Sequence, residues 1–247
     1  MTDYLDLWQI NLNPSDITIE SCLSILSNDE QKKAQEFIFQ IHQRRYIIGR
    51  YCLRMILSYY LNIHPMYIEF IYNKYGKPFL RNRALEFNLS HSNDCAILAI
   101  NKQSPVGVDI EHTNLEQDFK SMAQEILSEY EYQQFVSLNN SLQKIAFYRA
   151  WTCKEAFTKC LGLGFSFDVK CCQVNLKPSE KIHLLSINYP GLNSKNYRIY
   201  DIKTHILDYV AVAVNEGGQK QPRYFNFSFN QNEDQLVAYL AKNASSF

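Results

Sequence analysis

The sequence predicts an α+β fold in which one chain holds two similar α+β halves. Three observations carry this. A strand-like run, then helical spacing, then several short strand-like runs occur once before Ser104-Pro105 and again after it. Residue-by-residue repetition is slight, so the repeat lies in the order of elements. At 247 residues the chain is long for one simple domain and short for two large ones. The expected division is an N-terminal half over 1–104, a C-terminal half over 105–216 and a tail over 217–247.

The elements follow in order. "YLDLWQINL" nearly alternates and reads as a first strand. Ser27, with Glu30 three residues on, makes a capping-box start for a helix. A longer helix is expected from Gln43 to about Leu61, with Tyr46, Leu53, Ile56, Leu57 and Tyr60 as its core stripe. Short strands are expected at Tyr67–Tyr72, Phe87–Leu89 and Cys95–Ile100. The second series opens with a strand at Val106–Glu111. Helices follow over Phe119–Leu127, Ser128–Val136 and Leu142–Leu161. Strands resume at Val169–Leu176, Ile182–Ile187, Tyr197–Ile202 and Ile206–Val214. "NEGGQKQPRYFNFSFNQNEDQ" reads as loop and tail, with a short helix over Asp234–Lys242 and no recognisable chemistry.

Hydrophobic residues at 46% and aromatics at 14% are enough for a sizeable core. The 25 basic residues balance the 25 acidic ones, which argues against a general nucleic-acid or membrane-surface binder. Phosphate binding must therefore be local. The seven cysteines are odd in number and contain no C-x-x-C pair, as expected of reduced thiols in a cytoplasmic protein rather than of a disulfide framework or zinc site. The N-terminus lacks a signal-peptide pattern, and no apolar run reaches membrane-spanning length. No Walker loop or G-x-G-x-x-G occurs, so standard nucleotide folds are not expected. Ser90-His91 lacks the context of a nucleophile elbow.

The chemistry concentrates in two stretches. In "PVGVDIEH" the strand period of two puts Val106, Val108 and Ile110 on one face and Gly107, Asp109 and Glu111 on the other. Two carboxylates on one face repel unless water or a positive charge relieves them. In "FYRAWTCKEAFTKCLGLGF", Phe147, Trp151, Glu155 and Lys159 step by four along one helix face. Glu155 and Lys159 could be a plain surface ion pair, but Trp151 one turn away argues for a half-buried stripe. Asp109, Glu111 and Glu155 together offer oxygen-only ligation, suited to magnesium or manganese rather than zinc. "YGKPFL" places Gly76 at a turn beside Lys77, and "FNLSHS" delivers Ser90 and His91 at a strand end.

Taken in order, "RRYIIGR", "YGKP", "FNLSHS", "VGVDIEH" and "FYRAWTCKEAFTK" resemble the 4′-phosphopantetheinyl transferases of the larger, monomeric class with two pseudo-symmetric halves. The resemblance spans roughly Ser27 to Gly164. It implies transfer of the 4′-phosphopantetheine arm of coenzyme A to a serine of an apo acyl or peptidyl carrier protein, releasing 3′,5′-ADP. It implies magnesium on Asp109, Glu111 and Glu155. It gives Lys159 a role in offsetting pyrophosphate or leaving-group charge, and Glu155, or a water held by the metal, a role in taking the serine proton. Lys33, Arg45, Lys77, Ser90, His91 and Lys154 match positions that hold coenzyme A, with His91 at its 3′-phosphate. Glu30 stands where some members carry a basic residue. The carrier is expected to dock near the segment from His112 to Phe119; Phe119, Met122, Ile126 and Leu127 offer an apolar face for core or partner. A monomer is expected, because two halves in one chain can build the site between them. The alternatives are another magnesium-dependent phosphotransferase or pyrophosphatase, and a catalytically inactive coenzyme A or carrier-protein binding module.

Overall fold

A computed structural model describes residues 4–113, 118–204, 209–217 and 221–229. The first half opens with β1 (Leu5–Asn11) and continues through α1 (Ile19–Leu23), α2 (Asn28–Gln35) and α3 (Gln40–Leu61). It returns through β2 (Phe70–Tyr72), β3 (Pro78–Leu80), β4 (Glu86–Ser92) and β5 (Cys95–Asn101). The second half repeats this order with β6 (Val106–His112), α4 (Phe119–Ile126), α5 (Glu129–Ser137) and α6 (Asn140–Leu161). β7 (Cys172–Val174), β8 (Leu184–Ile187), β9 (Tyr197–Ile202) and β10 (Tyr209–Glu216) complete it.

The repeat extends to local chemistry. Ser27 caps α2 and Ser128 caps α5, each in a capping box closed by the glutamate three residues on, Glu30 and Glu131. Both long helices have 22 residues, and each ends on a left-handed residue, Asn62 (φ 52°) or Gly162 (φ 68°). Both glutamates are buried, and each meets a cation at the same place in the following long helix, Arg54 or Lys154.

One sheet has the strand order β5 between β1 and β4, the other β10 between β6 and β9, all antiparallel. Strand alternation gives each sheet two apolar faces. Trp8, Ile10, Leu98 and Ile100 pack under α3 against Ile48, Leu53, Ile56 and Leu57. Val212 and Val214 pack under α6 against Ala146, Ala150, Cys153 and Phe157. The remaining faces meet each other, Leu5, Leu7, Ile97 and Ala99 against Val106, Val108, Ile110 and Ala213. This third core removes both inner faces from water and joins the halves.

Two strands depart from the sequence expectation. "YGKPFL" is more than a turn: Pro78–Leu80 pairs with β2, the proline opening the strand where no ladder donor is needed. The tail is also more than a loop, since β11 (Pro222–Asn226) runs parallel to β1 and completes the first sheet. Arg223 holds the buried Asp6 with Nε–Oδ1 at 2.6 Å and Nη2–Oδ2 at 2.7 Å, and Phe225 stacks on Trp8 at 4.7 Å. A buried carboxylate needs such a partner, and only the folded sheet shows that Asp6 is buried. The helix expected over Asp234–Lys242 lies outside the described residues. Among the described residues no helix is long and apolar enough to cross a membrane, and all seven cysteines are free.

Candidate active site

The site is built where α6 lies on β6. A Cβ on Gly107 would sit 2.0 Å from the Ala156 carbonyl oxygen and 2.3 Å from the Cys160 nitrogen, so glycine is what lets the helix backbone approach. Two residues along the same strand face, Asp109 Oδ1 accepts from Lys159 Nζ at 2.6 Å and from Ser90 Oγ at 2.9 Å. Two further, Glu111 Oε1 accepts from Trp151 Nε1 at 3.0 Å. Trp151, Glu155 and Lys159, four apart on α6, thus run along the carboxylate face of β6. At the matching positions β1 carries Trp8 and Ile10, which are core residues. The second half has acids where the first half has hydrophobic packing.

These acids are short of positive charge. Asp109 Oδ2 is buried without a hydrogen-bond partner. Burial raises the Asp109 pKa against the opposing pull of Lys159 and Ser90. Burial, then the charge of Asp109, raises Glu111, and Glu155 adds to it. Glu155 is raised by burial, with Lys159 lowering it and Asp109 raising it. Among the described residues no three His, Cys, Asp or Glu side chains close into a ready-made metal cage. The orphaned Asp109 oxygen, and repulsion that Lys159 only partly relieves, nevertheless suit a hard divalent cation, which takes carboxylate oxygens and leaves positions for water or phosphate.

The first half supplies the facing wall. Alternate residues of β4 reach across to β6: Asn88 Oδ1 accepts from Val108 N at 2.8 Å, Ser90 donates to Asp109, and Ser92 Oγ accepts from His112 N at 3.2 Å. The turn between β2 and β3 crosses as well. Gly76 takes φ 85°, Lys77 Nζ donates to the carbonyls of Val106 and Cys160 at 3.2 Å each, and Asn73 Nδ2 donates to Gly162 O at 2.7 Å. Burial lowers the Lys77 pKa. Below this turn lies a cleft of about 520 Å³ lined by Tyr75, Lys77, Trp151, Glu155, Lys159 and Phe165. Gly76 and Pro78 also border a second cleft of about 720 Å³, lined by Lys33, Tyr46, Arg50 and Arg81.

Residues 105–214 match the model of the family described as the 4′-phosphopantetheinyl transferase superfamily, and residues 10–103 match that described as 4′-phosphopantetheinyl transferase, N-terminal. The chain is 35% identical over 188 residues to the 4′-phosphopantetheinyl transferase HetI of Nostoc sp., covering 74% of this chain and 79% of that protein. It is 30% identical over 193 residues to the 4′-phosphopantetheinyl transferase Sfp of Bacillus subtilis, covering 76% and 80%. The 4′-phosphopantetheinyl transferase psf-1 of Bacillus pumilus is 33% identical over 175 residues, covering 66% and 71%. This chain belongs to the 4′-phosphopantetheinyl transferase superfamily.

The transferase gathers Asp109, Glu111, Glu155, Lys159 and Ser90 at one place. His91 follows Ser90 at the exposed strand end. Arg45 reaches the same end, its Nε 2.8 Å from Asp94 Oδ1. Lys33 stands on the rim of the second cleft, paired with Glu36 at 2.6 Å. Lys154 is elsewhere. It is fully buried in the second half, and its ammonium donates to Glu131 Oε2 and the carbonyls of Val169 and Cys172. A lysine with three donors has none left for a ligand there, so Lys154 does not join the coenzyme A set. Glu30 is likewise a core residue, held by Arg50 and Arg54. Ile126 and Leu127 are buried and Phe119 and Met122 pack against them, so the apolar face of α4 serves the core. Part of the expected carrier segment, residues 114–117, lies outside the described residues. Sequence reasoning missed Asn88 and Ser92, whose only signal was a polar residue recurring every second position in "FNLSHS", and Asn73, which precedes "YGKP" and carried no signal of its own.

Proposed function

We propose that this transferase moves the 4′-phosphopantetheine group of coenzyme A to a serine hydroxyl of an apo acyl or peptidyl carrier protein, releasing 3′,5′-ADP, and that it does so as a monomer. The observation that carries the reading is the buried, unpartnered Asp109 Oδ2 within a trio of carboxylates of raised pKa beside Lys159. Asp109, Glu111 and Glu155 would hold a magnesium ion, with manganese as the alternative. That ion supplies positive charge to the pyrophosphate oxygens. Phosphoryl transfer is mostly positioning and charge neutralisation, and the chain's own groups do the rest. Lys159, 31% exposed in its side chain, faces the cleft and offsets charge that grows on the leaving phosphate oxygen. The bond from phosphorus to the ADP oxygen breaks as the serine oxygen bonds to phosphorus. Glu155, beside Lys159 on the cleft wall, would take the serine proton. The pantetheine arm fits the apolar cleft lined by Tyr75, Trp151 and Phe165. The nucleotide belongs on the other side of the Gly76 turn, with Lys33, Arg45, Ser90 and His91 around its phosphates and Lys77 at the turn between the two clefts.

Intact mass of an apo carrier domain, incubated with the enzyme, coenzyme A and magnesium, tests this. The expected result is a gain of one phosphopantetheine group, lost with EDTA and in Asp109→Ala. No gain across peptide, polyketide and fatty-acid carriers, with folded enzyme and metal present, refutes it.

A further inference from the structure

The buried pair Glu131–Lys154 has an exact counterpart in the other half. Lys154 is the fifteenth residue of α6, and Arg54 is the fifteenth of α3. Glu131 closes the capping box of α5 as Glu30 closes that of α2. Arg54 donates to Glu30 Oε2 at 2.6 Å and to the carbonyls of Pro65 and Ile68 at 2.8 and 3.1 Å. Lys154 donates to Glu131 Oε2 and Val169 O, each at 2.9 Å, and to Cys172 O. In both halves the cation reaches backbone carbonyls at the entry to the hairpin: Pro65 and Ile68 just ahead of β2 in one case, Val169 just ahead of β7 and Cys172 at its first residue in the other. Glu131 adds its own hold on that segment, accepting from Val174 N at 2.8 Å, and on α5, accepting from Ser128 N at 2.8 Å.

The segments so held are the two walls of the substrate cleft. The β2–β3 hairpin carries Tyr75 to Pro78 on one side, and Phe167, Asp168 and Val169 line the other. Lys154 sits next to Glu155 on α6, so the same side chain that fixes the wall is anchored to the helical turn that carries the acid. Buried salt bridges contribute little net stability compared with a well-packed apolar pair, so stability alone does not account for one repeated in both halves.

We propose that Lys154, through Glu131, is a positioning residue for the transfer: it fixes the Phe167–Val169 wall relative to the α6 turn that carries Glu155. This rests on the function proposed above and assigns Lys154 no contact with coenzyme A. The full-length enzyme is compared with Lys154→Met and with the charge-free double variant Lys154→Met/Glu131→Gln. The measurements are thermal unfolding, coenzyme A binding by calorimetry, steady-state transfer, and amide hydrogen exchange across residues 163–172. The single variant strands the Glu131 charge and loses thermal stability, and the double variant regains most of it. With wall and acid misplaced by a fraction of an ångström, kcat of the double variant falls by about tenfold or more. Its KM and Kd for coenzyme A stay within about twofold, because no ligand contact is lost. Exchange across 163–172 quickens while α6 stays protected. A rise of about tenfold in the coenzyme A Kd with kcat intact would instead make Lys154 a ligand contact. Wild-type kcat in the double variant, or unchanged exchange at 163–172, would make the pair purely structural; either result overturns the proposal. If Lys154→Met does not fold, Glu131→Gln keeps the lysine and its two carbonyls, and unchanged kcat and exchange in that variant overturn the proposal equally. No transfer by the wild type would refute the proposed function, and the exchange result would still decide whether Lys154 sets the wall.

Discussion

Glu111 accepts a hydrogen bond from Trp151 and feels the charge of Lys159, but burial and the like charges of Asp109 and Glu155 outweigh both. Its folded pKa lies above the ordinary 4.5, so protonation favours the fold. The sign follows from linkage: a carboxyl raised on folding binds more protons folded than unfolded, and stability falls as pH climbs from about 4.5 through the raised value. At neutral pH the metal-free enzyme carries this penalty. Glu111→Gln keeps the acceptor for Trp151 and removes the charge. It should raise the Tm of metal-free enzyme at pH 7 by about 2–4 °C while abolishing transfer. The gain should shrink as the pH is lowered towards 4.5, and thermal scans of both proteins across that range check it. A gain that grows on acidification would contradict the raised pKa. Glu30 illustrates the opposite case. Burial raises its pKa, but Arg50 and Arg54 outweigh that and leave it below 4.5. Its contribution is therefore present above 4.5 and lost as pH falls through the lowered value. Glu30→Gln strands the buried Arg54 and should cost about 3–5 kcal/mol in denaturant unfolding. For His91, the phosphate contact proposed above, His91→Ala should raise the KM for coenzyme A by about tenfold with a smaller effect on kcat.

At the scale of elements, the contact of β6 with α6 decides the geometry of the chemistry. Gly107 is the point of closest approach, and its missing side chain faces backbone atoms of α6 that cannot step aside. Gly107→Ala should push the helix off the strand, costing about 3 kcal/mol or more and separating Lys159 from Asp109. Transfer should then drop out of proportion to the loss of stability, which parallel Tm and activity measurements would show. The strands and helices themselves were largely legible. β1, β5, β6, α3 and α6 fell where alternation and helical spacing placed them, because long patterned segments bury one face whatever they pack against. β3 and β11 were not legible. Each is short, contains or begins with proline, and exists because a neighbouring strand offers it an unpaired edge.

For the whole molecule, the return of β11 to the first sheet makes the C-terminal segment part of the N-terminal half. Deleting residues 221–247 removes Arg223 from Asp6 and Phe225 from Trp8. The truncated enzyme should lose about 3–5 kcal/mol, since a buried carboxylate is left without its ion partner. Chemical denaturation with a probe in the first half, such as the Trp8 fluorescence, measures this; unchanged stability would mean that β11 is dispensable. Within the amino-acid sequence alone, the two-half plan, the acidic strand face and the Trp151–Glu155–Lys159 stripe were already determined, because periodicity and residue type are local properties. Tertiary structure alone decided which basic residues face the cleft. Lys154 and Lys159 are both lysines on one helix, five residues apart. One turns into the core to join Glu131 and the other towards Asp109, and that difference depends on which element packs against each side of α6.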